Sequence, residues 1–153
     1  MNKVVDTASC FLFFSVWSMN HTRKEWLLRG HASVNMIQES LVEITGFQGE
    51  DFKRLVEYDG WSVAFLRYAE RFSRLLYFER HLLTDEVFVL LNGSATLFIR
   101  TDEGIQEICM EKEKVYNVRC GVWHQINVSK DATVLVVENR NTAKENTEKD
   151  PVM

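Results

Sequence analysis

Two histidines and one glutamate in the second half of the sequence are residue types that bind divalent metal ions. Glu86 lies five positions after His81, and His124 lies further along the chain. Imidazole nitrogen is a common ligand of Zn, Fe, Ni, Cu and Mn, and two histidines with one carboxylate leave coordination positions open for water, oxygen or substrate. We therefore predict a metal site if these three residues meet in the fold. The alternative is a buried histidine that is hydrogen-bonded to Glu86 without any metal.

The surrounding sequence predicts the strands that would bring these residues together. Residues 82–85 form a short turn between a strand that ends at His81 and a strand that begins at Glu86. Turn residues at 92–93 and 102–104 predict hairpins. Short apolar, β-branched and aromatic runs at roughly 8–12-residue spacing indicate an antiparallel sandwich or barrel. The predicted strands are 61–68, 75–81, 86–91, 95–100, 105–110, 114–120, 124–128 and 132–138.

The domain organisation follows from length and local composition. A chain of 153 residues with 46% hydrophobic residues supports one domain, which we place at 36–140. Residues 1–35 are interpreted as an N-terminal extension, either poorly ordered or not part of the native domain, with a translation start at Met36 as one explanation. The apolar run at 11–19 is shorter than the ~20 residues of a membrane-spanning helix, and a signal peptide is disfavoured. Residues 141–153 are polar and predict a flexible tail.

The overall charge and the cysteine content narrow the class of protein. The formal net charge is −4, and no polybasic cluster occurs, so neither a nucleic-acid partner nor an anionic membrane surface is expected. Three scattered cysteines, Cys10, Cys109 and Cys120, do not form a disulfide framework or a zinc knuckle. We therefore expect reduced thiols and a cytoplasmic location.

Two short segments resemble the sequence motifs of the cupin superfamily. Glu79-Arg80-His81, followed after four residues by Glu86 and after six more by Gly93, resembles the first motif, His-x-His, three or four residues, Glu, six residues, Gly. Residues 121–124 (GVWH) resemble the core of the second motif, Pro-x-Gly, two residues, His, three residues, Asn. The resemblance covers about residues 58–140 and implies an all-β, single-domain antiparallel jelly-roll β-barrel.

The chain departs from both motifs. Glu79 stands where the first motif has its first histidine, Arg119 replaces the proline of the second, and Val128 replaces its asparagine. The resemblance therefore implies His81, Glu86 and His124 as metal ligands. Glu79 shares a strand face with His81 and is the expected substitute for the missing imidazole. A divalent ion such as Mn, Fe, Zn or Ni is the implied cofactor, and two carboxylates favour the harder ions Mn and Fe.

The resemblance implies a metal-binding cupin that acts on or binds a small polar molecule, with no reaction assigned. The alternative is a non-catalytic cupin that binds or senses a small ligand, with the His/Glu cluster hydrogen-bonded and metal-free. Small cupins commonly pair, so a homodimer is expected. The aromatic residues expected to contact the ligand, with core packing as their alternative role, are Tyr77, Phe88, Tyr116 and Trp123.

Overall fold

The computed structural model describes residues 41–152, and their regular structure is almost entirely β-strand. Single turns of 3-10 helix at Glu70–Phe72 and Lys144–Asn146 precede the third and the last strand. The strands are β1 (Phe52–Tyr58), β2 (Trp61–Arg67), β3 (Tyr77–His81), β4 (Glu86–Asn92), β5 (Ala95–Thr101), β6 (Gly104–Cys109), β7 (Val115–Val118), β8 (Trp123–Val128), β9 (Thr133–Asn139) and β10 (Thr147–Pro151).

The strands form two antiparallel sheets of five strands each. Sheet I has the order β1-β2-β9-β4-β7, and sheet II has the order β10-β3-β8-β5-β6. The chain crosses between the sheets after every strand except β1 and β5, so neighbours in sequence are mostly not neighbours in a sheet. This alternation between two antiparallel sheets confirms the predicted all-β jelly-roll.

One predicted hairpin is wrong. β4 pairs with β7 and β9, whereas β5 pairs with β6 and β8, so the turn at Gly93 carries the chain between the sheets. Gly93 has φ +71°, and a Cβ there would lie 2.6 Å from the Ala132 backbone. The Asn-Gly pair thus predicts a tight turn correctly, but it does not determine which strands pair. The predicted hairpin at 102–104 is confirmed, because Thr101 pairs with Gly104.

All eight predicted strands occur, but two further strands were missed. β1 pairs with β2 along its length, and β10 pairs with β3 from Thr147↔His81 to Pro151↔Tyr77. The flexible tail predicted for 141–153 is therefore wrong at 147–151. Its polar residues give no apolar pattern from which a strand would be predicted, and the strand is held by backbone pairing with β3. The predicted extension at 1–35 lies outside the described residues, and the compact unit that contains the strands begins at Thr45.

The core lies between the sheets, and its composition changes along the strands. In β9, Val134 and Val136 are fully buried at alternate positions, and the next inward position is Glu138. In β4, the inward positions are Leu90, Phe88 and then Glu86. The same alternation that builds the apolar core therefore places buried carboxylates at one end of it, where a polar site can form.

Candidate metal centre

Three strand ends position the predicted metal ligands. His81 is the last residue of β3, Glu86 is the first residue of β4, and His124 is the second residue of β8. β3 and β8 are neighbours in sheet II, and β4 belongs to sheet I. The side chains meet between the sheets, where the three residues are 7%, 7% and 2% exposed. The structure thus brings together the three residues expected from sequence.

The ligand atoms of these residues converge on one carboxylate oxygen. His81 Nε2 lies 3.1 Å and His124 Nε2 lies 2.9 Å from Glu86 Oε2. One ligand atom from each residue lies within 4.8 Å of both others. Adjacent ligands of an octahedral ion with bonds of about 2.1 Å are about 3.0 Å apart. The spacing of this cluster therefore fits the donor atoms of a divalent metal ion.

The hydrogen bond at Nδ1 of His124 determines whether Nε2 of the same ring carries a proton. Nδ1 lies 2.9 Å from the Val122 carbonyl oxygen, which only accepts hydrogen bonds, so Nδ1 carries a proton. In a neutral imidazole Nε2 is then a bare lone pair, and it faces the Glu86 carboxylate, which is also an acceptor. Two acceptors 2.9 Å apart require a cation or a proton between them. A metal-bound histidine has this same pattern, with its second N–H on a backbone carbonyl.

The electrostatics of the cluster agree with this geometry. Burial acts to raise the pKa of Glu86, but hydrogen bonds from His124 and His81 override it and lower the pKa to about 2. Burial acts to lower the pKa of His124, but the Glu86 carboxylate overrides it and raises the pKa above the ordinary value of 6.5. Glu86 is therefore a carboxylate at neutral pH. It attracts positive charge, either a proton on His124 or a metal ion.

Glu79 lies beside the cluster and not within it. It is the strand partner of His124 and lines the same cavity, but its Oε2 lies 3.1 Å from the Lys149 Nζ. It is absent from the described group of side chains that could share an ion, which is His81, Glu86 and His124. The geometry therefore does not meet the expectation that Glu79 replaces the missing imidazole. Its charge is partnered by the lysine of the neighbouring strand β10.

The cluster opens into a cavity of about 600 Å³, which is within the range of small-molecule sites. One part of its wall is apolar, and the rest carries charged and polar groups from both sheets and from residues 142–149. The apolar lining is Phe52, Leu66, Phe72, Phe88, Ile126 and Ala143. The polar lining is Arg54, Arg71, Glu79, His81, Glu86, His124, Gln125, Glu138, Thr142, Lys144, Thr147 and Lys149.

Of the four aromatic residues expected at the ligand, only Phe88 is among the residues that line this cavity. Its ring centroid lies 6.0 Å from that of His124 in an edge-on arrangement. Trp123 precedes His124 in β8 and therefore points to the opposite face of sheet II. There its ring lies between the guanidinium groups of Arg80 and Arg100, each 4.5 Å from its centroid. Trp123 is therefore not among the residues that line this cavity.

The two tyrosines are also placed elsewhere than expected. The Tyr116 hydroxyl accepts a hydrogen bond of 2.8 Å from the Glu111 backbone N–H. The Lys149 Nζ lies 4.4 Å from the centroid of the Tyr77 ring. Neither tyrosine belongs to the described lining of the cavity. Tyr116 was selected for its nearness in sequence to His124, which does not determine which face of a strand a side chain occupies.

Sequence reasoning missed a buried ion pair in the cavity wall. Glu138 is the strand partner of Glu86 and is 6% exposed, and its Oε1 accepts hydrogen bonds of 2.9 and 2.7 Å from Arg54. Burial raises the pKa of Glu138, and Arg54 offsets part of that effect. A sequence signal for Glu138 existed. Glu138 follows Val134 and Val136 at alternate positions of β9, and alternate residues of a strand point to the same face, here inward. Arg54 lies in the strand that was not predicted.

Comparison with known proteins identifies the fold. No protein-family model matches the chain, and no curated protein matches it in sequence. A cupin-2 domain containing protein from Shewanella frigidimarina matches in structure at 16% identity and TM-score 0.49, over 68% of this chain and 92% of that one. Streptomyces Pac13 with uridine matches at 7% identity and TM-score 0.51, over 70% of this chain and 82% of that one.

A third match is to part of a longer protein. CapF with the inhibitor 3-isopropenyl-tropolone matches at 17% identity and TM-score 0.50, over 69% of this chain but only 33% of that one. At these identities the matches concern the fold alone. The two facing sheets, the motif residues at the ends of β3, β4 and β8, and these structural matches give one answer. The chain has an antiparallel two-sheet jelly-roll fold like that of Pac13 and of the matched part of CapF.

Proposed function

We propose that this chain is a metal-binding cupin that holds a divalent ion with His81, Glu86 and His124 and receives a small polar molecule in the adjacent cavity. The observation that carries the proposal is the position of His124. Its Nδ1 donates to the Val122 carbonyl, so in the neutral imidazole Nε2 presents a lone pair toward a carboxylate 2.9 Å away. A cation between Nε2 and Glu86 resolves this contact and uses both groups as ligands.

The ligand set indicates which ions suit the site. Two imidazole nitrogens and one carboxylate oxygen are common for Mn, Fe, Ni and Zn and leave coordination positions open. Such an ion supplies Lewis-acid chemistry to a bound oxygen group. The residues of the chain supply the rest. Phe88 packs edge-on against His124, and burial between the sheets keeps the three ligands away from bulk water.

The cavity supports a small ligand with both apolar and polar parts. The apolar wall fits a hydrocarbon or aromatic portion, and Arg54, Lys144 and Lys149 fit polar or negatively charged groups. Pac13, which shares this fold over most of its length, is seen with the small molecule uridine, and we extend small-molecule binding to this chain as a fold-level analogy. Glu138 has no hydrogen-bond partner for its Oε2 among the described residues, so this oxygen can accept one from a ligand.

A metal-free binding protein is the second candidate, and one observation favours it. The raised pKa of His124 and the lowered pKa of Glu86 allow a charged pair that is complete without a metal. In that case the site is a rigid polar wall of a ligand cavity. The two candidates differ in what divalent ions do to the folded protein, because an ion that binds only the native state raises its stability.

Titration of chelator-treated protein with Mn²⁺, Fe²⁺, Ni²⁺ and Zn²⁺ separates the two candidates. At an ion concentration 100 times Kd, the native state gains about 2.7 kcal/mol. For a domain of this size that is a rise in melting temperature of about 10 °C. The His124→Ala variant should lose the rise, and the Glu79→Gln variant should keep it. If none of the four ions raises the melting temperature of the wild-type chain, the metal-free candidate is correct.

A further inference from the structure

We propose that Thr147, in the C-terminal strand β10, is a positioning residue that orients the His81 imidazole for metal binding. The inference rests on the proposed metal site and adds a residue to it from a segment that the motif resemblance does not reach. Thr147 lies opposite His81 in the pairing of β10 with β3. Its Oγ1 lies 2.9 Å from His81 Nδ1.

The His81 ring is held at both nitrogens. Thr147 contacts Nδ1, and Glu86 Oε2 lies 3.1 Å from Nε2. The backbone beside this contact is also fixed, because Leu82 N–H donates to the Asn146 carbonyl at 2.9 Å. The hydroxyl of Thr147 therefore meets the ring from a strand whose position is set by main-chain hydrogen bonds on either side of it.

A hydroxyl at this position can either accept or donate a hydrogen bond, whereas a carbonyl oxygen can only accept one. It can accept a hydrogen bond from Nδ1–H, which leaves the Nε2 lone pair for a metal ion. It can also donate to a bare Nδ1, in which case Nε2–H donates to Glu86. Thr147 thus accommodates His81 in the metal-bound and the metal-free tautomer. The Val122 carbonyl holds His124 Nδ1 in its protonated form only.

The strand itself is anchored by other contacts. Thr147 is the only half-buried position of β10, and the four positions after it are exposed. On the outer face of sheet II, Glu148 accepts a hydrogen bond of 2.7 Å from Arg80, and Asp150 accepts one of 2.7 Å from Arg100. The Thr147 hydroxyl is therefore not needed to hold β10 on the sheet. Its contact with His81 can serve to orient the imidazole.

Zinc affinity of three variants tests the role of the hydroxyl. Thr147→Val is nearly isosteric and removes only the hydrogen bond, whereas Thr147→Ser retains it. Thr142→Val is the matched control, because Thr142 also lines the cavity but its Oγ1 has no hydrogen-bond partner among the described residues. Loss of such an outer partner costs about 10- to 100-fold in metal affinity. We expect that loss for Thr147→Val and a change of less than about threefold for the other two variants.

A second readout reports the tautomer directly. Long-range ¹H–¹⁵N NMR of the zinc-loaded wild-type protein should show His81 protonated at Nδ1 and bound through Nε2. The Thr147→Val variant in chelator should melt close to wild type, which separates positioning from folding. If Thr147→Val does not fold, the inference is tested by the tautomer of His81 in the wild-type protein and by the zinc affinity of Thr147→Ser.

The outcomes distinguish this inference from the proposed function. If the wild-type chain binds neither zinc nor any of the ions Mn²⁺, Fe²⁺ and Ni²⁺, the proposed metal site fails and the role of Thr147 fails with it. If the wild-type chain binds zinc and Thr147→Val binds it equally well, only the positioning role is overturned. A zinc-loaded protein with His81 protonated at Nε2 also overturns it.

Discussion

Replacement of Glu86 by Gln tests how the buried cluster stabilises the metal-free protein. The carboxylate accepts from His124 and His81 at 2.9 and 3.1 Å, and all three residues are buried. The amide keeps the shape of the side chain but removes its charge. A protonated His124 is then left buried without a counter-charge, so its pKa falls and it becomes neutral. The variant therefore loses the charged hydrogen bonds but not the packing of the site.

The size of the effect follows from hydrogen bonds to charged groups, which contribute about 1.5–3 kcal/mol each. The amide can still form one neutral hydrogen bond, so we expect a net loss of about 3 kcal/mol at pH 6. At about 4 °C per kcal/mol the melting temperature falls by about 12 °C. Glu79→Gln is the matched control. It breaks a partly exposed pair with Lys149, and the cost should stay below about 1 kcal/mol.

The pKa shifts of His124 and Glu86 predict how the destabilisation by Glu86→Gln varies with pH. The pKa of His124 is raised in the folded state, so its contribution is complete below the ordinary value of 6.5 and is lost as the pH rises through the folded pKa. The pKa of Glu86 is lowered to about 2, so its contribution is complete above the ordinary 4.5 and is lost as the pH falls toward 2. The destabilisation by Glu86→Gln should therefore be largest near pH 5–6 and should decrease as the pH rises through the folded pKa of His124.

Thermal unfolding in chelator, followed by circular dichroism from pH 4 to pH 9, measures this profile. A Glu86→Gln variant that melts with the wild type across the whole range would refute the reasoning, because the buried carboxylate would then carry no charged hydrogen bonds. A loss of the same size at every pH would show that packing and not charge is responsible.

Three further predictions concern the framework around the site. Gly93→Ala should destabilise the fold by more than about 2 kcal/mol in urea unfolding, because Gly93 has φ +71° and a Cβ there would lie 2.6 Å from the Ala132 backbone. Arg54→Met should cost about 2 kcal/mol and should be partly rescued by Glu138→Gln in a double-mutant cycle, since it removes the partner of a buried carboxylate. The chain is expected to be a homodimer, and sedimentation at a monomer mass of 17.9 kDa would contradict this.

The strands were predictable where their residues are mostly apolar, β-branched or aromatic, and not where their residues are polar. β2, β4 and β9 follow apolar runs and were placed within about two residues. β10 was missed because its five residues, Thr147–Pro151, are all polar except proline, and its pairing with β3 is made by the backbone and by outward ion pairs. The pairing of β4 with β9 also joins distant segments, and local turn signals do not report such contacts.

The convergence of His81, Glu86 and His124 was predictable from the sequence, but the surroundings of these residues were not. His81, Glu86 and His124 lie at strand ends that the motif spacing identifies. Trp123 was misplaced because adjacent residues of a strand face opposite ways. Thr147 could not be predicted as a partner of His81, because that contact depends on the unpredicted strand β10.

The central claim is that the buried His81–Glu86–His124 cluster binds a divalent metal ion. Elemental analysis of full-length protein purified without added metal and without chelator tests it most directly, with His124→Ala purified in parallel. We predict close to one equivalent of a single transition metal per wild-type chain and less than about a tenth of that in His124→Ala, with both proteins folded by circular dichroism. A folded wild-type chain that carries no stoichiometric metal, or an equal metal content in His124→Ala, would contradict the claim.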